Sequence, residues 1–222
     1  MDTRLGDRAR VSLDLDADHV LGADAARGEL QRATVEDLGD HFGFAVVGAE
    51  ELAESGLRLA VRYKLESALA GRRFEPLQVD VTIAPPEPWD AQPAQRRGVL
   101  AEFGLEPIEL LLVPIERQIA EKLHACTRTY RGVPTTRVRD LVDLVLIRQY
   151  EHIDTTSLRI AIERTFTRRG THAVPGRFPP PPRELAVSYR RETERLGLTR
   201  SLDEAHQVLA DWLNPVLAEV SR

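Results

Sequence analysis

The chain has 222 residues, 30 basic against 35 acidic side chains, a formal charge of −5 and a single cysteine. One thiol excludes an internal disulfide framework and a thiolate zinc cluster, which fits a reducing cytoplasm, and the balanced charge gives no global nucleic-acid footprint. No stretch has the length and apolarity of a membrane span, and the charged N-terminus has no secretory h-region.

In chain order, the first patterned stretch is Val11-Ser12-Leu13-Asp14-Leu15-Asp16. In an extended strand alternate side chains share a face, so the spacing predicts Asp14 and Asp16 together on one face and Leu13 and Leu15 on a core. Such a carboxylate pair can hold a divalent cation, but in an isolated D-x-D it more often merely keeps an exposed edge strand soluble. Thr34 to Phe42 reads as a capped amphipathic helix, with Thr34 as N-cap, acids in its first turn and Val35, Leu38 and Phe42 as its apolar face.

Period-two alternation follows at Leu57, Leu59, Val61, Tyr63 and Leu65, and again at Leu77, Val79, Val81 and Ile83. This predicts two strands, paired antiparallel through a turn at Ala70-Gly71-Arg72-Arg73, with Asp80 on the non-core face of the second. The run Pro85 to Pro88 ends the sheet segment, and Ile108 to Val113 reads as a short buried strand before a helix opened by Pro114.

That helix carries Ile115, Ile119, Leu123 and Cys126 on one stripe, with Lys122 beside it. A second helix, Val138 to Tyr150, presents Leu141, Val142, Val145 and Leu146, and places Asp140 and Asp143 one turn apart. The remainder reads as helices at Thr156 to Thr165, Arg183 to Leu196 and Ser201 to Val220, with a capping-box pattern at Ser201-Leu202-Asp203-Glu204 and a proline connector at Pro179 to Pro182. The six histidines show no paired metal-ligand spacing, and no G-x-S-x-G marks a hydrolase nucleophile.

The ordered set Ser12-x-Asp14-Leu15-Asp16, Val79-Asp80-Val81, Ala120-Glu121-Lys122-Leu123-His124-Ala125 and Arg137-x-Arg139-Asp140-Leu141-Val142-Asp143-Leu144, with Thr165-Phe166-x-x-Arg169 downstream, resembles the AbiEii/AbiGii nucleotidyltransferase toxins of abortive-infection toxin–antitoxin systems. The resemblance implies an α+β fold. Residues 1–113 would form a polymerase-beta-like nucleotidyltransferase core with a mixed sheet, and 114–222 a helical domain carrying the Lys/Asp motifs. It further implies nucleotide transfer from a nucleoside triphosphate to a hydroxyl acceptor such as tRNA, dependent on Mg2+ or Mn2+, with a cognate antitoxin as partner.

Carried over residue by residue, Asp14, Asp16 and Asp80 are the metal carboxylates, and they share the catalytic role with Lys122, Asp140 and Asp143. Lys122 reaches a nucleotide phosphate, with Ser12, Arg128 and Arg139 as further nucleotide ligands. Arg128, Arg131, Arg137 and Arg139 would form the basic patch beside the phosphates. Taken without the resemblance, Lys122 equally suits a solvated helix face, and Asp140 and Asp143 suit salt bridges to Arg128, Arg137 or Arg139. Ser12 also corresponds to the hydroxyl that an antitoxin kinase phosphorylates in some relatives; a phosphate there would repel the carboxylates or compete for their metal.

The glycine-rich turn that such proteins carry about a dozen residues before the paired carboxylates has no counterpart in Leu5-Gly6-Asp7. Two expectations follow: the natural start lies upstream, or the chain is a shortened relative. In the second case the carboxylates remain but nucleotide is held less well; the alternative reading is a catalytically degenerate binding or regulatory module on the same fold.

Overall fold

The computed structural model describes residues 5, 14–19, 22–52, 59–83, 92–96, 108–129 and 136–221. They fall into two compact units, Ser12–Pro88 and Met1–Val11 together with Trp89–Arg222.

The first unit is a mixed sheet covered on one face by a helix. Its strands are β1 (Asp14–His19), β2 (Phe42–Leu52), β3 (Leu59–Leu69), β4 (Arg72–Arg73) and β5 (Leu77–Ile83), and helix α1 (Ala23–Thr34) follows β1. The order is β1-β5-β3-β2, with β4 paired to β3. β1 runs parallel to β5 and the other pairs are antiparallel. The alternation read from sequence becomes one buried face, where Val61, Tyr63, Leu65, Val79 and Val81 pack on Ala26. The Tyr63 hydroxyl donates to the Ala23 carbonyl at 3.3 Å. The expected turn forms at Ala70 and Gly71, both at positive φ, the backbone that two-residue hairpin turns require.

Two expectations need correction here. Leu15 does not enter the core: it is 56% exposed on β1, which ends the strand order of the described sheet; Leu13 lies outside the described residues. No helix spans Thr34 to Phe42. The helix ends at Thr34, Val35 and Leu38 are exposed, and the Asp37 and Asp40 carboxylates accept from the Gly39 and Phe42 N–H groups at 2.9 and 3.0 Å. Those local bonds compete with helical ones and turn the chain into β2. The sequence reading also lacks β2, whose alternation is broken by a bulge between Val46 and Gly48.

The second unit opens with a two-stranded ribbon, β6 (Gln92–Arg96) against β7 (Ile108–Leu112). A ribbon cannot bury both faces, so Leu111 is exposed where a buried strand was expected. Helices α2 (Ile115–Thr127), α3 (Val138–Tyr150), α4 (Thr155–Arg169), α5 (Ala186–Glu194) and α6 (Leu202–Val220) complete it, with a 3-10 turn at Arg183–Leu185. α3 is central: every residue from Leu141 to Ile147 is buried, a wider face than the four apolar positions predicted, as befits a helix surrounded by others. Ile119 and Leu123 of α2, Leu158 and Ile162 of α4, and Leu209, Leu213 and Leu217 of α6 pack in the same core. The capping box at Ser201 and Glu204 forms as read. Among the described residues no helix is long and apolar enough to cross a membrane.

Candidate functional site

The predicted carboxylates of the sheet unit meet through strand register. Asp16 on β1 stands opposite Asp80 on β5, and Asp80 stands opposite Arg62 on β3. Registered neighbours share a face, so these three side chains form one row on the side of the sheet away from α1. Asp80 is 16% exposed, and its two oxygens take both arms of the Arg62 guanidinium, Nε to Oδ1 at 2.8 Å and Nη2 to Oδ2 at 2.6 Å. Asp16 is exposed, Asp14 pairs in register with Gln78, and Ser12 lies outside the described residues. Among the described residues no three His, Cys, Asp or Glu side chains form a ready-made metal cage. The donors that register brings together are nonetheless all carboxylate oxygen, the chemistry that hard divalent cations select, so Asp16 and Asp80 fit such an ion.

In the helical unit Lys122 of α2 reaches both acids of α3. Its Nζ lies 3.2 Å from Asp140 Oδ1 and 2.6 Å from Asp143 Oδ2. Asp143 is fully buried, while Lys122 and Asp140 keep 16% and 18% exposure. Burial alone would lower the Lys122 pKa, but the Asp143 and Asp140 carboxylates more than offset it, so the ammonium is held charged above its ordinary value. Lys122 therefore lies mostly buried against two acids and not on a solvated helix face.

The arginines expected at phosphates take separate positions. Arg139 donates from Nε to Glu192 on α5 at 3.2 Å. Arg128 closes α2 through its backbone N–H and, with Cys126, Arg137, Leu141, Phe178 and the Pro179 to Pro182 run, lines a mostly apolar cavity of about 220 Å³. Arg131 lies outside the described residues. Burial raises the Cys126 thiol pKa far above its ordinary value, so this cysteine is not a thiolate nucleophile.

The family model for the nucleotidyl transferase AbiEii toxin of type IV toxin–antitoxin systems matches residues 1–212. The chain belongs to the AbiEii nucleotidyltransferase toxin family. MenT4, a nucleotidyltransferase toxin from Mycobacterium tuberculosis H37Rv, is similar in structure: the match covers 99% of this chain and 81% of MenT4, with a TM-score of 0.50 and 19% identity. That likeness establishes the shared nucleotidyltransferase fold. A search of curated proteins returns no match.

In this AbiEii chain the motif segments that carried the sequence resemblance also hold one another. Glu121, next to Lys122, accepts from Arg168 and from Arg169, the latter at 2.9 and 3.0 Å. His124 packs edge-on against Phe166, with centroids 5.0 Å apart. Helix α2 thus grips α3 through Lys122 and α4 through Glu121 and His124.

Sequence reading missed two groups. Arg62 left a signal, a cation on the polar side of an alternating strand, but its partner is set by register. The other group is a hydroxyl–imidazole relay. Thr127 Oγ1 donates to the Leu123 carbonyl at 3.0 Å, so it accepts from His172 Nε2 at 2.9 Å. With His172 neutral, its Nδ1 then accepts from Thr171 at 3.0 Å, and Thr171 accepts from His124 Nε2 at 2.8 Å. Burial, followed by the charges of His172, Arg169 and Arg128, lowers the His124 pKa to about 4.

Proposed function

We propose that this AbiEii-family chain transfers a nucleoside monophosphate from a nucleoside triphosphate to a hydroxyl acceptor, for which tRNA is the first candidate, in a reaction dependent on Mg2+ or Mn2+. The observation that supports this best is the register of Asp16 against Asp80 on neighbouring parallel strands. Asp14, Asp16 and Asp80 would hold the metal, which supplies charge neutralisation at the phosphates when bound.

In the reaction the acceptor oxygen bonds to the α-phosphorus as the bond to the bridging oxygen of pyrophosphate breaks. A carboxylate of this row takes the acceptor's proton. Arg62 holds the plane of Asp80, and Lys122, kept charged by its two acids, offers a compact cation for a phosphate oxygen. Asp140 and Asp143 orient that ammonium, while Arg128 and Arg139 supply further positive charge for nucleotide or acceptor phosphates. Ser12 is proposed as a nucleotide ligand on the strength of the motif alone. A cognate antitoxin is the expected protein partner of a type IV toxin.

The test is transfer of radiolabel from each α-labelled triphosphate to tRNA with Mg2+, comparing the chain with Asp16→Asn and Asp80→Asn. Label transfer that either substitution abolishes supports the reading; transfer by the variants at the unsubstituted rate removes it.

A second reading is a degenerate binding module. It is favoured by the engagement of both Asp80 oxygens by Arg62 and of Lys122 by two acids. Calorimetry with Mg2+ and each triphosphate separates the two, since a degenerate module gives no metal-dependent nucleotide binding.

A further inference from the structure

We propose that Arg62 is the resident counter-ion of Asp80, setting the affinity of the carboxylate row for divalent cations by competing with them. The inference rests on the metal-dependent reading above. Arg62, Asp80 and Asp16 lie opposite one another on three adjacent strands, so the guanidinium approaches Asp80 from one side and the second acid stands on the other. The fork engages both oxygens, at 2.8 and 2.6 Å, with Asp80 16% and Arg62 33% exposed.

A bidentate guanidinium takes one in-plane lone pair on each carboxylate oxygen, and a metal ion needs one of the same directional sites. It also fixes a full positive charge beside the place a cation would occupy, and partial burial limits the screening of that repulsion. Both effects weaken metal binding. In return the carboxylate is neutralised and its plane held while no metal is present. The other described cations on this face pair elsewhere, Lys64 with Glu50 at 3.4 Å and Arg73 with Glu66 at 3.8 Å. Among the described residues Arg62 is therefore the basic side chain that the fold aims at Asp80.

The direction of the effect distinguishes a competing counter-ion from an ordinary structural contact, because loss of a contact that merely supports the site cannot tighten it. Mn2+ titrations of the whole chain, following the free-ion paramagnetic resonance signal, are run on the unsubstituted protein, Arg62→Gln, Arg62→Lys and Asp80→Asn. Circular dichroism confirms that each variant folds. Arg62→Gln is expected to bind Mn2+ roughly tenfold more tightly. Arg62→Lys, which keeps the charge and loses the fork, falls between, and Asp80→Asn binds least. Should Arg62→Gln fail to fold, the Lys variant carries the comparison.

Binding lost in Asp80→Asn but unchanged or weakened in the Arg62 variants overturns the role of Arg62 and leaves the metal site standing. No Asp80-dependent Mn2+ binding in any of the four proteins removes the metal site, and the role of Arg62 with it.

Discussion

Lys122 Nζ sits 2.6 Å from Asp143 Oδ2, and Asp143 has no solvent-exposed surface. Removing the lysine leaves a buried carboxylate without its nearest cation, which typically costs about 3–5 kcal/mol. Lys122→Met is therefore expected to lower unfolding free energy on that scale in urea titrations. Asp140→Asn, which leaves the shorter contact in place, is expected to cost less than about 1 kcal/mol. Equal stabilities of Lys122→Met and the unsubstituted chain would refute a structural triad.

The relay through His124 makes stability depend on pH. Its folded pKa of about 4 lies below the ordinary value of 6.5, so folding favours the neutral ring. That contribution is complete above pH 6.5 and is lost as pH falls toward 4. His172, whose pKa is also lowered by burial and by Arg128, acts in the same direction. His124→Asn removes one titrating ring, so between pH 7.5 and 4.5 it is expected to lose about 2 kcal/mol less than the unsubstituted chain. Urea unfolding at the two pH values measures this, and parallel losses would count against it.

Glu121 joins Arg168 and Arg169 of α4 to α2. Glu121→Ala sets the two arginines against each other with their shared anion gone, at an expected cost of about 2 kcal/mol. Glu121→Gln keeps the acceptor and is expected to recover part of it. Differential scanning calorimetry of the pair reads the difference.

Gly170 closes α4 at φ 57, and a Cβ added there would meet no backbone atom closer than 3.9 Å. The cost of Gly170→Ala is then conformational, about 1 kcal/mol, with no steric addition. A loss above about 3 kcal/mol in chemical denaturation would mean that the relay at Thr171 shifts with it.

Strands β3 and β5 were legible because Val61, Tyr63, Leu65, Val79 and Val81 alternate without interruption and one face is buried. β2 was not, since the bulge at Val46 shifts its phase and Gly43, Ala45 and Gly48 contribute little apolar signal. β6, Gln92-Pro93-Ala94-Gln95-Arg96, has no apolar periodicity at all and exists only by pairing with β7. Thr34 to Phe42 carries helix-like spacing, but nothing in spacing reveals that Asp37 and Asp40 will turn back on the chain. In the candidate site, residue types were readable and partners were not. Arg62 finds Asp80 across strands, and Lys122 finds Asp140 and Asp143 across helices, distances that only the packed fold defines.

Asp143 and its neighbours from Leu141 to Ile147 form a middle segment of α3 in which every residue is buried. A genetic selection for survivors of toxin expression would consequently collect substitutions along this segment whether or not they touch chemistry, because a chain that never folds is as harmless as one that folds without activity. Alleles at Asp140 or Asp143 recovered in that way inform on catalysis only when the amount of soluble folded protein is measured beside growth.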